Sequence, residues 1–251
     1  LTDRYVRKLG SEHPVTLQAR STLATMMTDG GSVASVEAAL PLLRDVLAAR
    51  ERVLGRDHPQ TVRTRLNLAT AHARLKDFAA ALPLEEQVIT ARSRTLGPGH
   101  PDTLSILVNH AGTLLNAGQA EASLRLLGDV QPLALKTLGE KHPQAQATMV
   151  IRAEALRVLG RVPDALAEFQ RLFELRRRAL GETHVETRTA AWNLIDTYRE
   201  LGRPAEAEPL YRQYIAPLLA ADPETLADAD AEFVERYRSG KRPGKQTIKR
   251  G

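Results

Sequence analysis

Leu104, Leu107, Val108, Ala111, Leu114 and Leu115 recur at i, i+3, i+4 and i+7, one apolar stripe along a helix. Ala207, Leu210, Tyr211, Tyr214, Ile215 and Leu218 repeat the pattern further on. Fixed punctuation separates such stripes. A Leu-Gly pair stands at Leu9-Gly10, Leu54-Gly55, Leu96-Gly97, Leu138-Gly139 and Leu180-Gly181, with glycine spacings of 45, 42, 42 and 42. Three residues after each glycine sits a histidine: His13, His58, His100, His142 and His184. Proline follows four of them, and Val185 follows the fifth. A second mark, Lys76, Gly118, Gly160 and Gly202, also repeats every 42 residues. In the first unit it becomes Gly30-Gly31, and the three extra residues of that unit are assigned to a loop over 28–35.

Each unit therefore reads as stop, start, helix A, turn, helix B. Proline after histidine has the fixed φ of a first helical position, where no amide donor is missed. Glycine after leucine suits a left-handed helix stop. The spacing predicts helix A at about 60–75, 102–117, 144–159 and 186–201, and helix B at about 77–95, 119–137, 161–179 and 203–220. Small residues recur where two helices must approach. Ala24, Ala69, Ala111 and Ala153 share one place in helix A, with Ile195 in the fifth unit; Ala81, Ser123, Ala165 and Ala207 share one in helix B. A lone hairpin cannot bury its stripe, so stacking must supply the core.

These motifs resemble the tetratricopeptide repeat in its 42-residue, kinesin-light-chain-like form. The likeness is clearest in Leu54-Gly55-Arg56-Asp57-His58-Pro59-Gln60-Thr61 and from Asn193 to Ala207, and it covers about residues 9–220. Lys76 in place of the turn glycine, Ser123 in place of alanine, and Gln144-Ala145 where other units carry threonine depart from it. The resemblance implies an all-α, right-handed α-solenoid of about five repeats, at about 9–53, 54–95, 96–137, 138–179 and 180–220. Residues 1–8 read as the end of a preceding helix, and the start at Leu1 rather than Met reads as a piece of a longer polypeptide. Residues 221–238, rich in acids with few large apolar side chains, read as a capping helix with one wet face. Residues 239–251 read as a basic, disordered tail.

Composition narrows the function. The net charge of +5 equals the contribution of Lys241, Arg242, Lys245, Lys249 and Arg250, so the body is close to neutral and a nucleic-acid surface is not expected. No cysteine occurs, which excludes disulfides and thiolate sites and fits a reducing, cytoplasmic setting. No apolar run approaches the roughly 20 residues needed to span a bilayer. Arginine far outnumbers lysine, as in GC-rich genomes, and a bacterial source is expected.

The resemblance implies a protein-interaction scaffold whose concave groove holds a peptide or protein segment, within a larger signalling or regulatory protein. Its partner is another protein or another domain of the same one. Homo-oligomerisation is the alternative, and an enzyme the least favoured reading. Asn67, Asn109 and Asn193 share one helix A place. In similar arrays this asparagine bonds the backbone of a bound peptide, since an amide both donates and accepts; the competing use is a bond to a neighbouring helix. Arg63, Arg74, Arg152, Arg157 and Arg199 are candidates to grip carboxylates, with Glu154, Asp196 and Glu200 making the groove mixed in sign. Trp192 is either a binding anchor or core, and core is favoured. The five turn histidines stand one per repeat, roughly 10 Å apart at helix-packing distances. Zinc ligands must lie within about 2.1 Å of one point, so no metal and no cofactor are expected. No nucleophile–base constellation or phosphate-binding loop appears.

Overall fold

The computed structural model describes residues 2–240; the basic tail expected from Ser239 lies, from Lys241 onward, outside them. The described residues are all-α, with no strand among them. In order they form α1 (Thr2–Leu9), α2 (Pro14–Gly30), α3 (Val33–Leu54), α4 (Pro59–Arg74), α5 (Phe78–Leu96), α6 (Pro101–Asn116) and α7 (Ala120–Leu138). These are followed by α8 (Pro143–Val158), α9 (Val162–Leu180), α10 (Val185–Glu200), α11 (Pro204–Tyr214), α12 (Ala216–Ala220), a 3-10 turn (Pro223–Thr225) and α13 (Asp228–Arg238). The protein forms two compact units, Leu1–Ala117 and Gly118–Gly251, and within each unit consecutive helices pack on one another.

The start signal works through the histidine itself. In His13, His58, His100, His142 and His184 the Nδ1 atom accepts from the backbone N–H two residues on, at 3.3, 3.2, 3.1, 3.1 and 3.2 Å. Each is the N-cap, so one of the orphan amides at the helix start is satisfied, and in four of the five proline takes the next position at no cost. This is why every helix A begins one residue earlier than the spacing predicts.

The two glycine marks have different jobs. Gly160 and Gly202, at positive φ, sit at a Schellman stop: Gly160 N–H bonds the Arg157 carbonyl at 2.9 Å and Arg161 N–H that of Leu156 at 2.8 Å. The left-handed stop thus belongs to the second mark. The Leu-Gly glycines Gly55, Gly97, Gly139 and Gly181 instead have φ of 82–90° with ψ of 157–171°, a region open to glycine almost alone. Lys76 occupies the second mark in its unit with φ +60°, the one non-glycine at positive φ among the described residues.

Two sequence expectations are corrected. The 28–35 loop is helical except at Gly31 and Ser32, because the Ser32 hydroxyl caps α3 by accepting from Ser35 N–H at 3.4 Å. The extra residues therefore lengthen the helices. The expected single helix over 203–220 breaks at Ile215, since Pro217 has no amide to continue the ladder.

The small-residue positions Ala24, Ala69, Ala81, Ala111, Ser123, Ala153, Ala165, Ile195 and Ala207 are all buried, as close helix approach requires. In the second unit α13 packs on α10 and α12 and buries Phe233 and Val234. Trp192 meets Phe233 edge-on at 5.7 Å and Tyr237 at 4.8 Å between ring centroids, and Arg188 pairs with Asp230.

Replacing His100 with alanine is expected to destabilise the protein by about 1 kcal/mol, whereas asparagine, whose Oδ1 reaches the same amide, retains the stability; denaturant unfolding checks both. Lys76→Gly is expected to stabilise by about 1 kcal/mol, by removing the left-handed penalty on a residue with a Cβ. A melting temperature no higher than that of the wild type would refute this.

Candidate functional site

The A helices of the first unit carry three of the candidate residues on one stripe. From α4, Arg63 Nη2 donates to Gln18 Oε1 at 3.1 Å, Asn67 Nδ2 to Thr25 Oγ1 at 2.8 Å, and Arg74 Nη1 to the Asp29 carbonyl at 3.0 Å. All three acceptors lie on α2, one repeat earlier, so the residues define an α2–α4 seam. Arg63 and Arg74 are exposed and Asn67 is buried. The bond to a neighbouring helix is thus the use the structure shows for the Asn67 amide N–H. Asn109 on α6 is half-buried in the first unit, and Asn193 on α10 is buried in the second.

In the second unit Arg157 lies between Glu154 at 2.8 Å and Glu200 at 2.9 Å. Burial would lower the Arg157 guanidinium, but the two carboxylates hold it above its ordinary value. Burial also raises the Glu154 carboxyl, against the partial offset of Arg157, and raises Asp196 against that of Arg199. Arg157 is therefore engaged from both sides within the protein. Arg199 is exposed and stacks over Tyr211 at 5.6 Å. Arg152 donates to Gln131 Oε1 at 2.6 Å and lies 3.5 Å from Glu168. Trp192 is buried in the core beneath α13, which settles its two readings in favour of packing.

One core polar cluster escaped the sequence reading. Glu85 on α5 accepts from or donates to His110 Nδ1 at 2.7 Å through Oε2, and its Oε1 accepts from Thr113 Oγ1 at 2.8 Å. Glu85 is 5% exposed and His110 7%. Two of the three equivalent pairs are apolar, Leu43 with Leu68 in one core cluster and Phe169 with Leu194 in another, and the third is Leu127 with Arg152. A polar pair has replaced a packing pair at one interface, and both partners are sealed from solvent.

A second unforeseen series lies on the B helices. Arg50, Arg92 and Arg176 share one register position, with Ala134 in the third repeat and Leu218 in the fifth. Each arginine reaches the first turn of the following helix A: Nη1 donates to the carbonyl of Gln60, Asp102 or Glu186 at 3.2 Å. The 42-residue period, applied to charged instead of apolar positions, would have found them.

The tetratricopeptide repeat family model matches residues 35–94 and 144–216, more than half of the sequence. Solved structures give the same fold. The nearly identical TPR-like repeats assigned to a kinesin light chain of Podosopora anserina superpose with a TM-score of 0.71 at 26% identity, covering 81% of this chain and 95% of that one. BtubC (BKLC) from P. vanneervenii superposes with a TM-score of 0.69 at 16% identity, covering 90% and 93%. Among curated proteins no match is found. No helix among the described residues is long and apolar enough to cross a membrane.

Glu85→Leu or His110→Leu alone is expected to cost about 3 kcal/mol, by stranding a buried polar partner. The double substitution, which introduces the apolar pairing found at two other repeats, should return to within about 1 kcal/mol of wild type or exceed it. Additive losses in a double-mutant cycle by chemical denaturation would show that the pair is not coupled.

Proposed function

Because this chain belongs to the tetratricopeptide repeat family, a fold that generally mediates protein–protein interactions, we propose that it is a non-catalytic scaffold whose helix A faces hold a segment of another protein, or of another domain of its own polypeptide. The observation that carries this reading is the α2–α4 seam. Arg63, Asn67 and Arg74 stand in line there, and each meets α2 through a single hydrogen bond that a ligand can replace. An extended segment would supply carbonyls and carboxylates to the two exposed guanidinium groups. The half-buried Asn109 would continue the polar line along the next helix A. Asn193 and Arg199 are the corresponding candidates in the second unit, and Arg157 would first have to give up Glu154 or Glu200. The cysteine-free composition supports a reducing, cytoplasmic setting.

A second reading, self-association, is favoured by three apolar side chains on the first hairpin: Leu23, Met26 and Val33 are 41, 68 and 66% exposed. One experiment separates the two. Peptides selected by display against the protein should bind with roughly micromolar affinity. Arg63→Ala with Arg74→Ala should weaken them at least tenfold, since both side chains are exposed and the fold does not depend on them; fluorescence polarisation reads this. Unchanged affinity in the double variant would overturn the seam as the binding face. A particle mass that rises with concentration in light scattering, with no peptide selected, would favour self-association instead.

A further inference from the structure

One face of helix A is covered in every repeat but the first. Ala71, Thr113, Ala155 and Thr197 share a register place there and are all buried, as are Leu68 and Leu194 one turn earlier. Leu68 and Ala71 are covered by α3, whose Val36, Ala39 and Leu43 pack in the same cluster. The corresponding residues of α2 are Leu23 and Met26, and they are 41 and 68% exposed. Val15, Ala19, Thr22, Leu23, Met26 and Gly30 follow i, i+4, i+7, i+8, i+11 and i+15 spacing. They form one stripe on the side of α2 opposite its buried residues Leu17, Ser21, Ala24 and Thr28.

The stripe carries no charge, in a chain of which 26% of the residues are charged. The charged residues of α2 lie off it: Arg20 pairs with Asp45 of α3 at 3.0 Å, and Asp29 stands at its edge. The Thr22 hydroxyl already accepts from Gln18 Nε2 at 3.2 Å. Such a face meets no like-charge repulsion from a copy of itself. Its side-chain sizes are also self-complementary. With two copies of α2 antiparallel about a two-fold axis between residues 22 and 23, Met26 of one meets Ala19 of the other, Leu23 meets Thr22, and Val15 meets Gly30. Each large side chain then falls on a small one, as interdigitating helices require. Each Asp29 comes beside the N-terminus of the other α2, where negative charge is favoured. A hairpin stacked in the regular geometry fits less well, because it closes on alanine or threonine at the place Met26 takes. In the second unit the last helix, α13, exposes Glu232, Glu235 and Arg238, so its outer side offers this stripe no apolar counterpart.

We propose that the outer stripe of α2 is a homotypic interface, through which two copies of this chain pair antiparallel about a two-fold axis. The proposal rests on the self-association reading above and deepens it, by naming the surface, the partner and the register. An isologous contact occupies the stripe of both copies, so assembly closes at the dimer. A seam of one helix against another is small beside the roughly 800 Å² per partner of a stable complex, so the dimer is weak, with a Kd on the order of 100 micromolar.

Sedimentation velocity of the full chain, from about 10 micromolar to about 1 millimolar, spans the expected Kd. The mass should rise with concentration to that of a dimer and no further. Met26→Glu sets two acids into the seam and should weaken the dimer at least tenfold. Met26 is exposed in the single copy, so the circular dichroism melting curve should not move. The chain has no cysteine, so single cysteines report the register. In the antiparallel pair residue 22 lies about 1.5 Å along the axis from its copy, and residue 15 about 22 Å. Thr22→Cys should therefore cross-link to its copy under mild oxidation and Val15→Cys should not, although both sites are exposed. This readout does not depend on the Met26→Glu variant. A chain that stays monomeric throughout the range overturns the interface and the self-association reading together. A dimer that Met26→Glu leaves intact, or that cross-links through Val15→Cys and not Thr22→Cys, overturns the α2 stripe while self-association stands. Species larger than a dimer overturn the closed two-fold arrangement.

Discussion

A helix A can pack only if it leaves the turn at the right residue and in the right direction, and one backbone contact secures this at every junction. The histidine imidazole accepts from the amide two residues on, immediately after a glycine held at φ and ψ values that side chains with a Cβ avoid. The glycine reverses the backbone and the histidine locks the first turn. The buried residue eleven positions further on, alanine in four repeats and Ile195 in the fifth, then faces its partner helix. Shift that start by one residue and the stripe rotates by about 100°, turning the small positions away from the contact.

With the start secured, the interfaces between hairpins tolerate more variety than the turns do. Glu85 and His110 occupy a place where Leu43 with Leu68, and Phe169 with Leu194, are apolar in two other repeats, and where Leu127 stands with Arg152 in a third. The B-helix arginines show the same latitude: two are offset by an acid on the next helix A and one is not. The repeating architecture is thus carried by geometry at the turns, and chemical differences between repeats are free to accumulate at the seams.

The period, the hairpin order and the small-residue contacts could all be read from the sequence, because each follows from the spacing of residue types along one helix. What could not be read depends on atoms in different repeats meeting. The partner of Asn67 is Thr25, 42 residues away, and only the superposition of α4 on α2 decides that this amide donates to a neighbouring helix. Glu85 and His110 appear in sequence as isolated polar residues on otherwise apolar stripes; their pairing emerges once α5 and α6 are packed. The helix starts moved by one residue, from about 60 to Pro59 in the second repeat, because the imidazole bond that closes the first turn is made to the backbone and leaves no mark in the spacing. Ile215 ends α11 early through the proline two residues later, a local rule that the strong apolar periodicity of that segment concealed.

The aromatic contact between α10 and α13 also gives the protein a built-in optical gauge. Trp192 is the single tryptophan of the sequence, and its immediate ring neighbours, Phe233 and Tyr237, come from the last helix. Its intrinsic emission therefore reports the docking of that one element. A red shift at low denaturant, ahead of the loss of helical circular dichroism, would mark the C-terminal helix lifting off while the hairpins beneath it remain folded.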